Sequence, residues 1–469
     1  ETHAVHERTG GNPLFVSEMA RLAASRGAGS VASILPESAD ATIRRRVARL
    51  AQPAAAALGA AAVLGAYLSL TRLGALLGTP PAELAALVDQ LAAAGLVAQD
   101  GDRLDFTHAL VRDAVYGALS PARRRQLHLE AAELIEGAHL RTGAQTAERA
   151  HHLIQALPLV PVDTVAAAVE AASRAAASMW AHEESVRWCD RAIDLVDPAS
   201  ARYPDLVLLA GETRSSAGDL QRAREAFLEA AEIARRTEDP DLFARAALGF
   251  ASGLAGFEVR LWDRVQTDLL EEGLTRLGAD DSVRRSQVLA RLSVALSFTA
   301  SDERRCELAE EAVRMARRLG DPAALAGALA AHCDAVAGPA HVTLREEQAG
   351  EIVALARRVP DVGLELLGLR LRVVARLERG DTPGARLDIG EFERLATRLR
   401  QPFFSWYAVL WRGLEAHLVG DLAEMAACAE EVGRLGELGG SRNATVLSSV
   451  QAVWPVIERG LAEEAMARL

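Results

Sequence analysis

The chain contains no lysine, so all 52 of its basic residues are arginine, against 64 acidic residues and a net charge of −12. A Walker-type phosphate loop needs a lysine that reaches the terminal phosphates, and Schiff-base catalysis needs a lysine amine. Both chemistries are therefore excluded for these 469 residues. The negative balance also argues against non-specific nucleic-acid binding, which depends on an excess of positive charge.

Cysteine is scarce, and clusters of catalytic or metal-ligating residues are missing from the sequence. The four cysteines lie far apart without a C-x-x-C pair, as is typical of reduced, buried thiols in a cytoplasmic protein. His151 and His152 are adjacent, and neighbouring positions of a helix point in different directions, so we expect them not to share a metal ion. No catalytic triad, zinc signature or carboxylate pair stands out. We therefore expect a chain that holds no metal and is not itself an enzyme.

Long apolar runs are also missing, and aromatic residues make up only 4% of a chain that is 50% hydrophobic. No run reaches the roughly 20 residues of a membrane-spanning helix, and no signal peptide is present, which favours a cytoplasmic location. Alanine and leucine dominate instead, which predicts closely packed helices arranged in two to four domains. Because the chain begins with Glu1 rather than methionine, we interpret it as part of a larger protein.

The second half of the chain carries a repeat with a period of about 40 residues. Its first marker is a seven-residue segment that begins with alanine and reads Ala-Arg-Arg-x-x-Asp-Pro in its full form, at 234 and 316. Its second marker is a short Gly-Asp or Ser-Asp turn. Proline cannot continue a helix, so we expect Asp-Pro to end one helix and Gly-Asp to mark the turn of a helical hairpin. The prediction is an all-α, right-handed superhelix of the tetratricopeptide (TPR) type, although the period also overlaps the HEAT range. The first marker occurs at Ala192–Pro198, Ala234–Pro240, Ala316–Pro322, Ala356–Val362 and Ala396–Pro402, and the second at Gly218–Asp219, Ser301–Asp302, Gly380–Asp381 and Gly420–Asp421.

The first 140 residues are organised differently. A glycine pair ending at Gly11 frees the backbone, Asn12 suits a helix N-cap and Pro13 the first helical position, which predicts a helix from Leu14. Further on, Gly95–Phe106 predicts two short strands around an Asp-Gly turn. Helices followed by a small hairpin and another helix are typical of a winged-helix domain. The predicted helices cover residues 41–50, 54–64, 70–77 and 82–94.

Three segments of this first part resemble a known family. They are Gly-Gly-Asn-Pro-Leu-Phe at 10–15, Phe-Thr-His-Ala-Leu-Val-Arg-Asp-Ala-Val-Tyr at 106–116 and Ser-Pro-Ala-Arg-Arg-Arg-Gln-Leu-His at 120–128. Together with the repeats, they resemble the large bacterial STAND-class (AAA+-related) ATPase regulators. These include ATP-binding LuxR-type transcriptional activators, whose MalT-like members carry a helical-repeat sensor.

The resemblance implies an ATPase core, its helical lid, a winged helix, a superhelical sensor and often a DNA-binding helix-turn-helix. It assigns residues 1–35 to the lid, 36–138 to the winged-helix domain and 139–469 to the TPR-like sensor. The phosphate loop and a LuxR-type helix-turn-helix are not found in the sequence. We therefore expect ATP or ADP to bind mainly through absent upstream segments, and DNA to bind only through a domain outside this chain.

Two nucleotide contacts follow from the resemblance. Gly11 and Pro13 match the family's Gly-x-Pro motif, whose proline lies against the adenine of the bound nucleotide. His108 matches the position where related switches place a histidine near the β-phosphate, and an imidazole can donate to a phosphate oxygen. The alternatives are that Pro13 simply begins a helix and that His108 is a core or capping histidine.

An aromatic cluster lies near the end of the repeats, where five of the 20 aromatic residues fall within nine positions. Phe403, Tyr407 and Trp411 share one helical stripe, while Trp406 points elsewhere. A helix of a two-layer superhelix needs one buried stripe, so Trp406, Phe404 and Trp411 are candidates to line a groove for an effector or partner. The alternative is that the whole cluster belongs to the core.

These observations predict the regulatory, effector-sensing portion of an ATP-dependent signal-transduction switch, most simply a LuxR-family transcriptional regulator. A small-molecule or protein effector would bind along the superhelix, activated chains would self-associate, and no membrane would be involved. Two alternatives stay open. The output domain of the larger protein could be a cyclase or a kinase, or the repeats could be a protein-interaction scaffold without nucleotide control.

Overall fold

The structure, a computed structural model, describes residues 43, 45–136, 142–252, 262–359, 361–399, 402–461 and 463. The predicted lid, with Gly11 and Pro13, lies outside these residues. The described chain is almost entirely helical, so the predicted all-α, TPR-like fold is confirmed. It divides into two compact units, residues 1–175 and 176–469. The domain limits inferred from the sequence stay predictions.

Among the described residues of the first unit, three helices precede a two-stranded sheet, and further helices follow it. Ser69 caps the second helix by accepting a hydrogen bond from the Arg72 N–H at 3.2 Å, and Gly78 ends it in the left-handed conformation with φ 61°. The elements are α1 (Gln52–Leu64), α2 (Leu70–Leu77), α3 (Pro81–Ala93), β1 (Val97–Asp100), β2 (Arg103–Phe106), α4 (Ala109–Ala118), α5 (Pro121–Glu136), α6 (Gly143–Ala156) and α7 (Val162–Ser178), within which the boundary falls.

The predicted β-hairpin is confirmed. Val97 pairs with Phe106 and Asp100 with Arg103 in an antiparallel register, and the turn uses Gly101 with φ 59°. The Asp102 carboxylate accepts hydrogen bonds from the Thr71 N–H and hydroxyl at 3.0 and 2.8 Å. These bonds lower the pKa of Asp102 and tie the hairpin to the first turn of α2.

The second unit is a tandem array of helices in which the first helix of successive pairs begins about every 40 residues. Its helices are α8 (His182–Leu195), α9 (Tyr203–Ser216), α10 (Leu220–Thr237), α11 (Pro240–Ser252), α12 (Arg264–Leu277), α13 (Val283–Ala295), α14 (Asp302–Leu319), α15 (Pro322–Ala335), α16 (Val342–Arg358), α17 (Val362–Glu378), α18 (Thr382–Leu399), α19 (Pro402–Leu418), α20 (Leu422–Gly439) and α21 (Arg442–Glu458). No helix among the described residues is long and apolar enough to cross a membrane.

The Asp-Pro pair begins a helix instead of ending one. Helix α10 ends at Thr237, and Glu238 turns the chain with a left-handed φ of 55°. Asp239 then accepts a hydrogen bond from the Leu242 N–H at 3.0 Å, and Pro240 is the first residue of α11. The expectation that Asp-Pro ends a helix is corrected, because a fixed φ and a missing N–H suit the first turn.

Candidate functional site

His108 is the N-cap of α4, directly after the β-hairpin. Its Nδ1 accepts a hydrogen bond from the backbone N–H of Leu110 at 3.2 Å, and its side chain is half-buried. An Nδ1 that accepts is unprotonated, so a neutral ring carries its proton on Nε2, where it can donate to a second acceptor. The capping alternative thus describes Nδ1 of His108. The predicted contact between its Nε2 and a nucleotide phosphate stays a prediction. The second predicted nucleotide contact, Gly11 with Pro13, lies outside the described residues.

The aromatic cluster of α19 lies inside the array. Trp406 is 0% exposed, Phe404 2% and Trp411 5%, and all three belong to one hydrophobic core. The ring of Phe392, on α18, meets that of Trp411 edge to face with centroids 5.0 Å apart. The interpretation that part of this cluster lines a groove is corrected, because the helix is buried on more than one face.

A cavity of about 1040 Å³ opens elsewhere in the second unit, and we call it the groove. Most of its lining comes from alternate helices of the array, α9, α11, α13, α15 and α17. Small residues leave the space: Gly249, Ala290 and Gly327 line it, and a Cβ added to Gly327 would meet no atom within 4 Å. The groove is thus a product of the repeat, in which equivalent helices present their small-residue face.

Arginine is the dominant charged residue of the groove, and three carboxylates, Glu212, Asp334 and Asp361, accompany it. Guanidinium groups bind carboxylates and phosphates through two parallel hydrogen bonds, so this lining suits an anionic ligand. The five arginines are Arg245, Arg284, Arg291, Arg305 and Arg370.

Four of the five groove arginines differ in burial, and two are buried while two are more exposed. Arg291 is buried, which lowers its pKa to about 10, and it donates to the backbone carbonyl of Ala251. Arg305 is also buried and forms an ion pair with Asp334 at 2.7 Å. Arg245 and Arg284 are more exposed and pair with Asp205 at 2.8 Å and Asp241 at 3.0 Å, outside the lining. Such exposed pairs contribute little to stability, so these two arginines are the ones able to change partners.

One residue of the groove lining, Phe298, belongs to an exposed aromatic pair. Phe298 is 64% exposed, and its ring lies 5.6 Å from that of Trp262, which is 67% exposed. Exposed aromatic pairs provide planar contact area for a ligand at little conformational cost. Sequence reasoning missed this pair and the groove arginines. The available signal was the recurrence of arginine one repeat apart, at Arg245 and Arg284, on alanine-rich helices.

Comparisons with known proteins yield a structural likeness but no match to a family model. No protein-family model matches the chain, and none of the curated proteins does. The chain is similar to the crystal structure of a Signal Transduction ATPase with Numerous Domains (STAND) protein with a tetratricopeptide repeat sensor from Pyrococcus horikoshii. The identity is 12% and the TM-score 0.35, over 99% of this chain and 73% of that one. At this TM-score the likeness carries no argument, so the proposed function rests on the residues and the geometry.

Proposed function

We propose that this chain is the effector-sensing portion of an ATP-dependent STAND-type switch, and that the groove is where its effector binds. The observation that carries the proposal is a cavity of about 1040 Å³ lined by five arginines from four helices of one repeat array. Ligand sites are usually concave, with a few convergent polar groups that fix the orientation of the ligand. The groove combines both properties.

The effector that fits the groove is a small anionic molecule with a planar or apolar part. The volume is at the upper end of the ~300–1,000 Å³ typical of small-molecule sites. Arg245 and Arg284 would bind its acidic groups, and Phe298 with Trp262 would contact its planar part. Two of the three groove carboxylates, Glu212 and Asp361, would disfavour a longer polyanion that extends past the arginines.

A ligand in the groove can act on the whole array, because it contacts several repeats at once. In solenoid proteins each repeat contacts mainly its neighbours, so small changes between neighbouring repeats accumulate along the array. An effector that contacts α11, α13 and α17 favours the arrangement of these helices in which the side chains that bind the effector lie closest together. It shifts the switch only by the difference between its affinities for the two states.

The finer parts of the proposal rest on the motifs of the first unit. We propose that residues 36–138 form a winged-helix domain. Gly11, Pro13 and His108 would contact ATP or ADP, which is held mainly by upstream segments. The output would be LuxR-type transcriptional activation. In the described part of the chain, a hairpin that follows α1, α2 and α3 supports the winged-helix assignment. A cyclase or kinase output is compatible with the same residues. The sequence beyond both ends distinguishes these outputs.

We expect the double variant Arg245→Gln/Arg284→Gln to weaken effector binding while leaving the array folded. A hydrogen bond to a charged group contributes about 1.5–3 kcal/mol, so removing two raises the dissociation constant by at least about 100-fold. Binding is measured by calorimetry with a panel of aromatic carboxylates and nucleotides. The matched control is Arg317→Gln/Arg318→Gln, which removes two exposed ion pairs outside the groove. If no panel compound binds, or if both double variants bind equally well, the groove is not the effector site.

We expect His108→Asn to alter nucleotide retention in a longer protein that carries the ATPase core. Asparagine preserves an N-cap acceptor for Leu110, but its shorter amide does not place a donor where Nε2–H lies. Bound ADP is measured after denaturing the purified protein. His108→Ala is the structural control, since it removes the cap and destabilises the helix by about 0.5–2 kcal/mol. Unchanged ADP retention in His108→Asn would leave His108 a capping residue only.

A further inference from the structure

Three histidines from two helices of the first unit meet at one point. His128 belongs to α5 and His151 and His152 to α6, and one ring nitrogen of each lies within 4.8 Å of the others. His128 and His152 are buried, whereas His151 is exposed. Adjacent positions of α6 thus place their ring nitrogens close together, although neighbouring positions of a helix point in different directions. The rings of His151 and His152 both reach His128 on the neighbouring helix, with centroids 5.9 and 5.0 Å from it.

The two buried rings form a chain of hydrogen bonds. The Tyr116 hydroxyl lies 2.9 Å from Nε2 of His128, and Nδ1 of His128 lies 2.8 Å from Nδ1 of His152. Only one proton can occupy the space between two Nδ1 atoms, so at least one of them presents a lone pair. Burial lowers the pKa of both rings, which favours the neutral form. Neutral imidazole is the form that ligates metals.

The far nitrogen of His152 has no hydrogen-bond partner among the described residues, although the side chain is 0% exposed. This Nε2 lies 3.9 Å from Oε1 of the buried Glu148, one turn earlier on α6. Arg72 of α2 forms an ion pair with the same carboxylate. A metal-bound histidine commonly points its other N–H at a carboxylate, which fixes the tautomer and raises the basicity of the ligating nitrogen. Glu148 occupies that position.

We propose that His128, His151 and His152 form a binding site for a zinc-type divalent transition-metal ion. Nδ1 of His128 and Nδ1 of His152 are its buried ligands, and His151 supplies the third from the solvent side. Zn–N bonds of ~2.0–2.1 Å in a tetrahedron put two nitrogens roughly 3.3 Å apart, so the buried pair needs to open by only about half an ångström. Imidazole ligands suit Zn²⁺, Cu²⁺ and Ni²⁺ better than Mg²⁺ or Ca²⁺.

Metal binding requires only a local shift of protons in this network. A ring that gives its Nδ1 lone pair to the ion carries its proton on Nε2. His128 then donates to the Tyr116 oxygen, and His152 points its N–H toward Glu148. Because His151 is exposed, the ion has access from solvent and keeps a fourth position for water. The site joins α5 to α6, so that a bound ion would stabilise their contact independently of the groove.

The test is a zinc titration of the 469-residue chain at pH 7.5 against a chromophoric chelator. We expect one equivalent of Zn²⁺ to bind and to raise the melting temperature. His151→Ala should weaken binding at least 10-fold, and because its side chain is exposed this variant should fold like the wild type. Glu148→Gln should weaken binding by about 10–100-fold through the second shell of the ion.

The matched control is His341→Ala, which removes an exposed histidine of the second unit and should leave zinc affinity unchanged. Replacing Zn²⁺ by Co²⁺ adds a spectroscopic readout, because histidine-ligated Co²⁺ in tetrahedral geometry absorbs strongly in the visible range and a hydrated ion does not. The proposal is overturned if zinc does not bind stoichiometrically, or if His151→Ala and His341→Ala bind it equally well. The histidines are then a buried hydrogen-bond network only.

Discussion

Replacing Trp406 by alanine is expected to lower the free energy of unfolding of the repeat array by about 3–5 kcal/mol. Its side chain is among the largest fully buried ones of the described residues, and its ring stacks on that of Tyr407 with centroids 3.6 Å apart. Truncation therefore removes a large buried area and leaves a cavity among helices that cannot fully close around it. The measurement is urea denaturation followed by far-UV circular dichroism.

The control for this variant is Trp454→Ala on α21, because that tryptophan is 45% exposed. A partly exposed ring loses less contact on truncation, and we expect a loss below about 1–2 kcal/mol. The two variants remove the same chemical group and differ in burial. If Trp406→Ala behaved like Trp454→Ala and instead weakened ligand binding, the groove-lining interpretation of the α19 cluster would be restored.

The features that the sequence predicts well are determined by residues that are close together along the chain. The bounds predicted for α2, Leu70 to Leu77, are those found, because Ser69 and Gly78 specify its ends locally. The hairpin follows in the same way from the turn at Gly101. The buried face of α10 is likewise local in origin, since Ala230, Ala231 and Ala234 recur at helical spacing and all are fully buried. Helical periodicity alone identifies such a face.

The sequence left the aromatic cluster open between a groove and the core, because helical periodicity predicts one buried stripe but not how many neighbouring helices surround it. Helix α19 contacts α18 and α20, its neighbours in sequence, and also α21. Phe403 and Trp411 share one stripe and Phe404 lies off it, yet all are buried. Conversely, Trp262 and Phe298 are isolated in sequence and come together only in the fold. Burial on several faces is a tertiary property, absent from the local pattern.

The groove and the histidine site were out of reach for the same reason. Each joins residues from different helices, such as His128 with His152, or Arg245 with Arg370. Spacing along one helix gives directions around its axis, but not the distance to the next helix. An adjacent pair of histidines can therefore meet a third histidine that a neighbouring helix presents to both rings. That geometry depends on the crossing of α5 and α6, which no single-helix pattern specifies.

Phe227 should be as important to the array as Trp406, and two glycines explain why. Its ring is buried between Gly211 of α9 and Gly249 of α11, where an added Cβ would lie 2.5 and 2.3 Å from the ring. The ring cannot move away from one glycine without approaching the other. We expect Phe227→Ala to lower the free energy of unfolding by about 3–5 kcal/mol in urea denaturation.

The double variant Phe227→Ala/Gly249→Ala tests this explanation, because the effect of Gly249→Ala on the free energy of unfolding should change sign when Phe227 is absent. In the wild-type chain, Gly249→Ala forces the Phe227 ring out of place, and overpacking of about 1–3 kcal/mol exceeds the helix-propensity gain of about 1 kcal/mol. In the Phe227→Ala chain, the added Cβ of Gly249→Ala no longer meets the ring. Gly249→Ala then increases helix propensity and fills part of the cavity, so it should stabilise the protein. A coupling energy near zero would show that the close approach is relieved by backbone movement. A reversal of sign would show that the two glycines admit the ring between neighbouring helices of the array.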